Sequence, residues 1–157
     1  MKYHISQSLL AVALAAGLIG ILATPAHATD EDHSCSLERA AGHYSMTDTG
    51  TVIGVGPRTA VAVFTLDGHG NLLNGVGTSS LNGSIASETF SGTYTVNSDC
   101  SGSMDVKIYS GSTELFEITG FLAFDDNMKE MRAVFTSIVT PDGTSLASVI
   151  NLQARKQ

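Results

Sequence analysis

The sequence predicts an all-β domain whose eight antiparallel strands run up and down and close into a barrel. Three observations predict it. Gly (16), Ser (18) and Thr (16) make about a third of the 157 residues while charged residues make only 15%, a mixture that suits strands and tight turns over helices. Turn signals built from Gly, Asn, Asp and Pro recur at close and fairly even spacing. Between those turns, apolar and polar residues alternate with the period of a strand that has one wet face.

The turns are Gly54-Val55-Gly56-Pro57, Asp67-Gly68-His69-Gly70-Asn71, Asn82-Gly83, Ser98 to Gly102, Ser110-Gly111, Asp125-Asp126-Asn127 and Pro141-Asp142-Gly143. Asn82-Gly83 is the strongest hairpin signal among them, because both residues accept the positive φ angles of a two-residue loop. These turns divide the chain into strands at 42–53, 59–66, 71–81, 84–97, 103–109, 113–124, 128–139 and 145–155. Short loops make each neighbour antiparallel, since parallel pairing needs a long crossover. Closure into a barrel removes the two unpaired edges that an open meander would leave. The alternative is a two-sheet β-sandwich. A helical turn is expected only at Ser36 to Ala41, where Leu37-Glu38-Arg39-Ala40-Ala41 stand in favourable order, or at the C-terminus.

Residues 1–28 read as a signal peptide: Lys2 gives a positive start, Leu9 to Ala23 is an uncharged apolar run, and Ala26-His27-Ala28 has the small-x-small form of a cleavage site. The run is too short for a comfortable membrane-spanning helix, so no span is expected after cleavage. Cleavage leaves 129 residues and, with Lys2 gone, takes the formal charge from −7 to −8. That length suits one domain with one core. An acidic chain repels phosphate backbones, which sets nucleic acid aside as a partner. The expected compartment is the periplasm or the exterior of a bacterium. Cys35 follows Asp32-His33-Ser34, which is not the context of a lipid-modified cysteine.

Cys35 and Cys100 are an even pair in an oxidising compartment, so they are expected to form a disulfide. Closing a loop of 66 residues is worth roughly 4 kcal/mol by chain entropy. The organisation is thus a signal peptide at 1–28, an N-terminal segment at 29–41 tied down by the disulfide, and a barrel at 42–157.

The stretch Ala62 to Ser103 carries Phe64, Asp67, Gly68, Gly70 and Asn71 as an aromatic-x-x-Asp-Gly-x-Gly-Asn turn, and then Gly92-Thr93-Tyr94-Thr95-Val96-Asn97 followed by Asp99-Cys100-Ser101-Gly102. These pieces resemble small exported bacterial proteins of the calycin group, near the allene oxide cyclase barrel and the lipocalins. Gly42-His43-Tyr44 stands where lipocalins carry Gly-x-Trp. The resemblance implies an eight-stranded barrel around an apolar cavity. It implies no particular activity, because calycins include carriers and cyclases.

No Gly-x-Ser-x-Gly, His-Glu-x-x-His or phosphate-cradling Gly-x-x-x-x-Gly-Lys sequence is present. No cofactor and no metal is implied. His33, in an acidic stretch, lacks a rigid frame, and Asp67 to Asn71 and Asp125 to Asn127 read as turns that bond their own backbone rather than as cation loops.

Carboxylates within strands carry more information. Glu88 shares the parity of Phe90, Tyr94 and Val96, and Glu130 and Arg132 share the parity of Met128, Val134 and Ile138. Glu88 and Arg132 are therefore the weak catalytic candidates, as a desolvated carboxylate or a buried cation in a cavity. Glu117 is expected outside, because Phe116, Ile118, Leu122 and Phe124 form the better apolar face. Tyr44, Tyr94 and Tyr109 are expected to pack with hydroxyls at the rim.

The expected cavity lining is Phe64 and Leu66 on the second strand, Phe90 and Tyr94 on the fourth, and Met104, Val106 and Ile108 on the fifth. Phe116, Ile118 and Phe124 follow on the sixth, with Met131 and Phe135 on the seventh. The leading expectation is a binding module for a small apolar or amphipathic molecule. A cyclase or isomerase that moulds a reactive substrate is the second, and a filled structural barrel that recruits a partner is the third. The sequence sets no oligomeric state.

Overall fold

The computed structural model describes residues 34–125 and 127–157. The signal-peptide assignment, the acidic stretch through His33 and the Asp126 position of the 125–127 turn lie outside them. A four-residue helix, α1 (Leu37–Ala40), precedes eight strands: β1 (Gly42–Val52), β2 (Gly56–Leu66), β3 (Asn71–Leu81), β4 (Ser84–Tyr94), β5 (Ser101–Ser110), β6 (Thr113–Phe124), β7 (Glu130–Val139) and β8 (Ser148–Lys156). Each strand pairs antiparallel with the next, and β8 closes onto β1 from Tyr44↔Lys156 to Val52↔Ser148. The barrel, not the sandwich, is the fold.

Alternation sets which side faces in. On β2, Arg58, Ala60, Ala62, Phe64 and Leu66 are buried and Val61 and Val63 are exposed. On β5, Met104, Val106 and Ile108 face in, and Asp105 and Lys107 face out. The outer wall carries Thr47, Thr49, Asn151, Gln153 and Arg155. Val61, Val63, Val76, Phe121, Val134 and Val149 are exposed on the same outer wall, which is therefore mixed in character. No helix among the described residues is long and apolar enough to cross a membrane.

Strand limits differ from the expected ones where a turn residue joins the ladder. β2 begins at Gly56, not 59, because Pro57 sits at the strand start opposite Thr51 and its carbonyl accepts Asn82 N–H at 2.7 Å. A first strand position tolerates the missing proline N–H. β4 ends at Tyr94 rather than 97, and β7 starts at Glu130 rather than 128, because Met128 takes a positive φ of 58° inside the turn. β8 starts at Ser148, since Leu146 N–H donates to Ile138 O at 2.8 Å and holds the preceding segment against β7.

The two ends of the barrel differ. One carries the turns after β2, β4 and β6, and α1 lies across it. Ser36 caps α1 by accepting Arg39 N–H at 3.3 Å. Tyr44 O–H donates to Ala40 O at 2.8 Å and to Met128 O at 3.2 Å, and Tyr94 O–H donates to Asp67 O at 2.6 Å. Lys156 Nζ reaches Arg39 O at 2.8 Å. The Cys35–Cys100 disulfide ties the segment before α1 to the turn after β4. Tyr44, Leu66 and Met128 are almost fully buried here, so this end is sealed. The Tyr44 ring stacks on Phe64 with centroids 5.5 Å apart, and Phe64 meets Phe90 at 6.1 Å. The hydroxyls of Tyr44 and Tyr94 therefore fasten the plug instead of lying free at a rim. At the opposite end lie the turns after β1, β3 and β5 and the longer connection 140–147.

A buried ion cluster in an apolar barrel

Inward positions of four consecutive strands converge near the unsealed end. Asp48 lies opposite Ala60, and Gly50 opposite Arg58, so Asp48 and Arg58 are diagonal neighbours across β1 and β2. Ser79 lies opposite both Ala60 and Ala86, and Glu88 opposite Gly77, so Ser79 and Glu88 are diagonal across β3 and β4. Diagonal pairs lie about 7–8 Å apart at the backbone, within reach of long side chains.

The side chains meet. Arg58 Nη1 donates to Glu88 Oε1 at 3.2 Å, and Arg58 Nη2 donates to Glu88 Oε2 at 3.1 Å and to Asp48 Oδ2 at 3.3 Å. Ser79 Oγ donates to Glu88 Oε1 at 2.6 Å. All four are buried, with 1% of Asp48, 7% of Arg58, 4% of Ser79 and 6% of Glu88 exposed. Such burial of charge is tolerated only with partners.

The pairing is complete for Glu88 and incomplete for Asp48. Both Glu88 oxygens accept bonds, whereas Asp48 Oδ1 and Arg58 Nε are buried with no hydrogen-bond partner. An unmatched buried polar atom costs about 1–3 kcal/mol. Burial raises the Asp48 pKa above the usual carboxylate value, and the Arg58 charge only partly opposes it. For Arg58, burial alone would favour loss of the proton, but Glu88 and Asp48 outweigh it and the guanidinium stays charged. One cation thus faces two carboxylates.

Beside the cluster is an apolar chamber of about 40 Å3. Since a water needs roughly 10–15 Å3 of such space, it holds a few water-sized groups. Its walls include Met46, Ala60, Ala62, Leu72 and Leu152, together with Phe64, Phe90, Met104, Val106, Ile108, Ile118, Met131 and Phe135. Gly75 makes the seat for Phe90: a Cβ there would stand 2.3 Å from the ring. A wider apolar recess of about 240 Å3 lies at the unsealed end, lined by Val52, Val55, Leu81, Phe116, Ile138 and Leu146. Arg58 and Ile118 line both spaces.

Of the lining residues expected from sequence, eight border the chamber. Phe116 is half-buried at the recess, and Leu66, Tyr94 and Phe124 are buried without bordering the chamber. Glu88 is in the cluster. Arg132 is not: its strand turns Met131, Ala133 and Phe135 inward, so Arg132 lies on the exposed outer wall beside Gln153 and Arg155. Glu130 is likewise on the outer wall, 3.8 Å from Arg155 Nε, and Glu117 meets Lys107 at 3.4 Å. Asp48, Arg58 and Ser79 were missed. Parity could have found Arg58 and Asp48, since Arg58 falls in phase with Ala60 to Leu66 and Asp48 with Tyr44 and Met46.

The glycine-rich turn is bonded to itself. Asp67 Oδ1 accepts His69 N–H at 2.9 Å and Asn71 N–H at 2.8 Å, and Asp67 Oδ2 accepts Asn71 Nδ2 at 2.8 Å. Asp125 Oδ1 similarly accepts Lys129 N–H at 2.7 Å and Glu130 N–H at 3.0 Å.

No family model matches the chain, and neither does any curated protein. Among solved structures, EF1p2_mFAP2b bound to DFHBI is similar, with a TM-score of 0.54 over 78% of this chain and all 100% of that chain, at 12% identity. The likeness is one of fold.

Proposed function

We propose that the chain is an exported, calycin-like barrel that binds one small, largely apolar molecule through its unsealed end. A single observation carries this reading: a charged cluster with two unmatched polar atoms is held at the junction of an apolar chamber and an apolar recess. Binding sites have this composition, apolar walls with a few placed polar groups. A stable core gains nothing from buried ions that an apolar filling would not give. The fold neighbour EF1p2_mFAP2b is itself bound to a small molecule, DFHBI, which supports the reading. The disulfide suits an oxidising compartment and supports export. Met46, Met104 and Met131 line the chamber and can change rotamer to enlarge it.

The small chamber volume favours one competitor, a barrel packed solid for a structural role. The two are separated by titrating the protein with N-phenyl-1-naphthylamine, whose emission rises in apolar surroundings. The chain has no Trp, so indole emission does not interfere. Saturable binding at one equivalent, weakened by Ala62→Leu in a chain that still unfolds cooperatively, supports the carrier. No saturable signal supports the filled barrel.

A further inference from the structure

We infer that the molecule this barrel takes carries a protonated amine, or an equivalent cationic N–H donor, which docks on Asp48 Oδ1. The inference rests on the binding function proposed above and adds the chemistry of the ligand's polar end.

The charges point to it first. Arg58 is the one cation of the cluster and faces both Asp48 and Glu88. Its Nη1 and Nη2 are engaged by the two Glu88 oxygens, and Nη2 also reaches Asp48 Oδ2. An anionic head would add a third negative charge to an apolar interior and would find only Arg58 Nε still unmatched. At low dielectric that repulsion is large. A cationic head does the reverse, leaving the group neutral overall.

The unmatched acceptor points the same way. Asp48 is 1% exposed and borders the chamber, and its Oδ1 has no donor. Glu88 offers no such position, because Ser79 and Arg58 already bond it. The chamber of about 40 Å3 accepts an ammonium group, which is close to water in size. The recess beyond Arg58 is wholly apolar at its outer side chains, Val52, Val55, Leu81, Phe116, Ile138 and Leu146, and suits an alkyl or aryl tail. An alcohol would satisfy Oδ1 but leave the surplus charge, so it ranks between amine and acid.

The test uses three probes with one tail, octylamine, octan-1-ol and octanoate, titrated calorimetrically at pH 7 into the full chain with its disulfide intact. The expected order is octylamine tightest, by at least about tenfold over octan-1-ol, and octanoate weakest. In Asp48→Asn, which keeps the shape and removes the charge, the amine should lose its preference and bind like the alcohol. Octanoate binding as tightly as octylamine, or an Asp48→Asn variant with the amine preference intact, overturns the inference while leaving a binding barrel in place. Failure of all three probes overturns the binding function itself. The ligand series on the unaltered chain decides the matter even if the variant does not fold.

Discussion

Replacing Arg58 by Met is the sharpest probe of the buried cluster. Met matches much of the aliphatic stem and removes the guanidinium with its charge and its donors. The structure sets the loss: three hydrogen bonds of 3.1–3.3 Å to two carboxylates disappear together. What remains is Asp48 and Glu88, both more than nine-tenths buried, with Ser79 Oγ still donating to Glu88. Breaking a buried ion pair from one side costs about 3–5 kcal/mol, a large share of the ~5–15 kcal/mol typical of a domain.

The loss should depend on pH with a definite sign. Burial raises the Asp48 pKa and Arg58 opposes that rise, so in the folded chain Asp48 holds its proton above the unfolded value. Stability linked to that proton is fully present below the unfolded pKa and is lost as pH rises through the folded one. Removing Arg58 removes the main opposing group and extends this window upward. Urea unfolding followed by circular dichroism should therefore show a deficit of about 3–5 kcal/mol at pH 7 that shrinks markedly near pH 4. Equal stability of variant and parent at pH 7, or an equal deficit at both pH values, would refute the reasoning.

Other outcomes follow from the same contacts. Asp48→Asn drops the surplus charge without changing shape, so at pH 7 it should be as stable as the parent or more so by about 1 kcal/mol, with the difference gone at low pH, as urea midpoints will show. Cys35→Ser with Cys100→Ser should cost roughly 4 kcal/mol in thermal unfolding, because the unfolded chain is no longer closed into a loop. Tyr44→Phe leaves the Ala40 and Met128 carbonyls without a buried donor and should cost about 1–3 kcal/mol. In a spectrophotometric titration, burial should keep Tyr44 un-ionised beyond the ordinary range and push Tyr94 up to about 12, so phenolate absorbance from these two should rise only well above pH 10.

The barrel was legible because its signals are local. Asn82-Gly83, Asp67 to Asn71 and Ser110-Gly111 mark hairpins by their own backbone preferences, and alternation on β5 declares its faces without help from neighbours. Strand limits were less legible where a residue of turn type joins the ladder, as Gly56 and Pro57 do. That shift bears on the site: Arg58 precedes a strand expected from 59, and only the longer β2 puts it in phase with Ala60 to Leu66. Glu88 was readable as inward from Phe90 and Tyr94. Its meeting with Arg58 and Ser79 is not readable, because the diagonal register that joins β1 to β2 and β3 to β4 is a property of pairing. Arg132 misled through Val134, an apolar residue that β7 places outside opposite Phe121. On a strand with apolar residues at both parities, period two cannot choose the face. The plug was hidden for the same reason, since Tyr44 and Tyr94 find their acceptors at α1 and in turns distant in sequence.

The central claim is that this barrel holds one small molecule. Native mass spectrometry of the intact, disulfide-bonded protein with octylamine tests it most directly. A ligand-binding barrel should take up a single added equivalent that saturates, leaves on denaturation and is displaced by N-phenyl-1-naphthylamine. A bare protein mass at every amine concentration, or additions that accumulate without stopping at one, would contradict it.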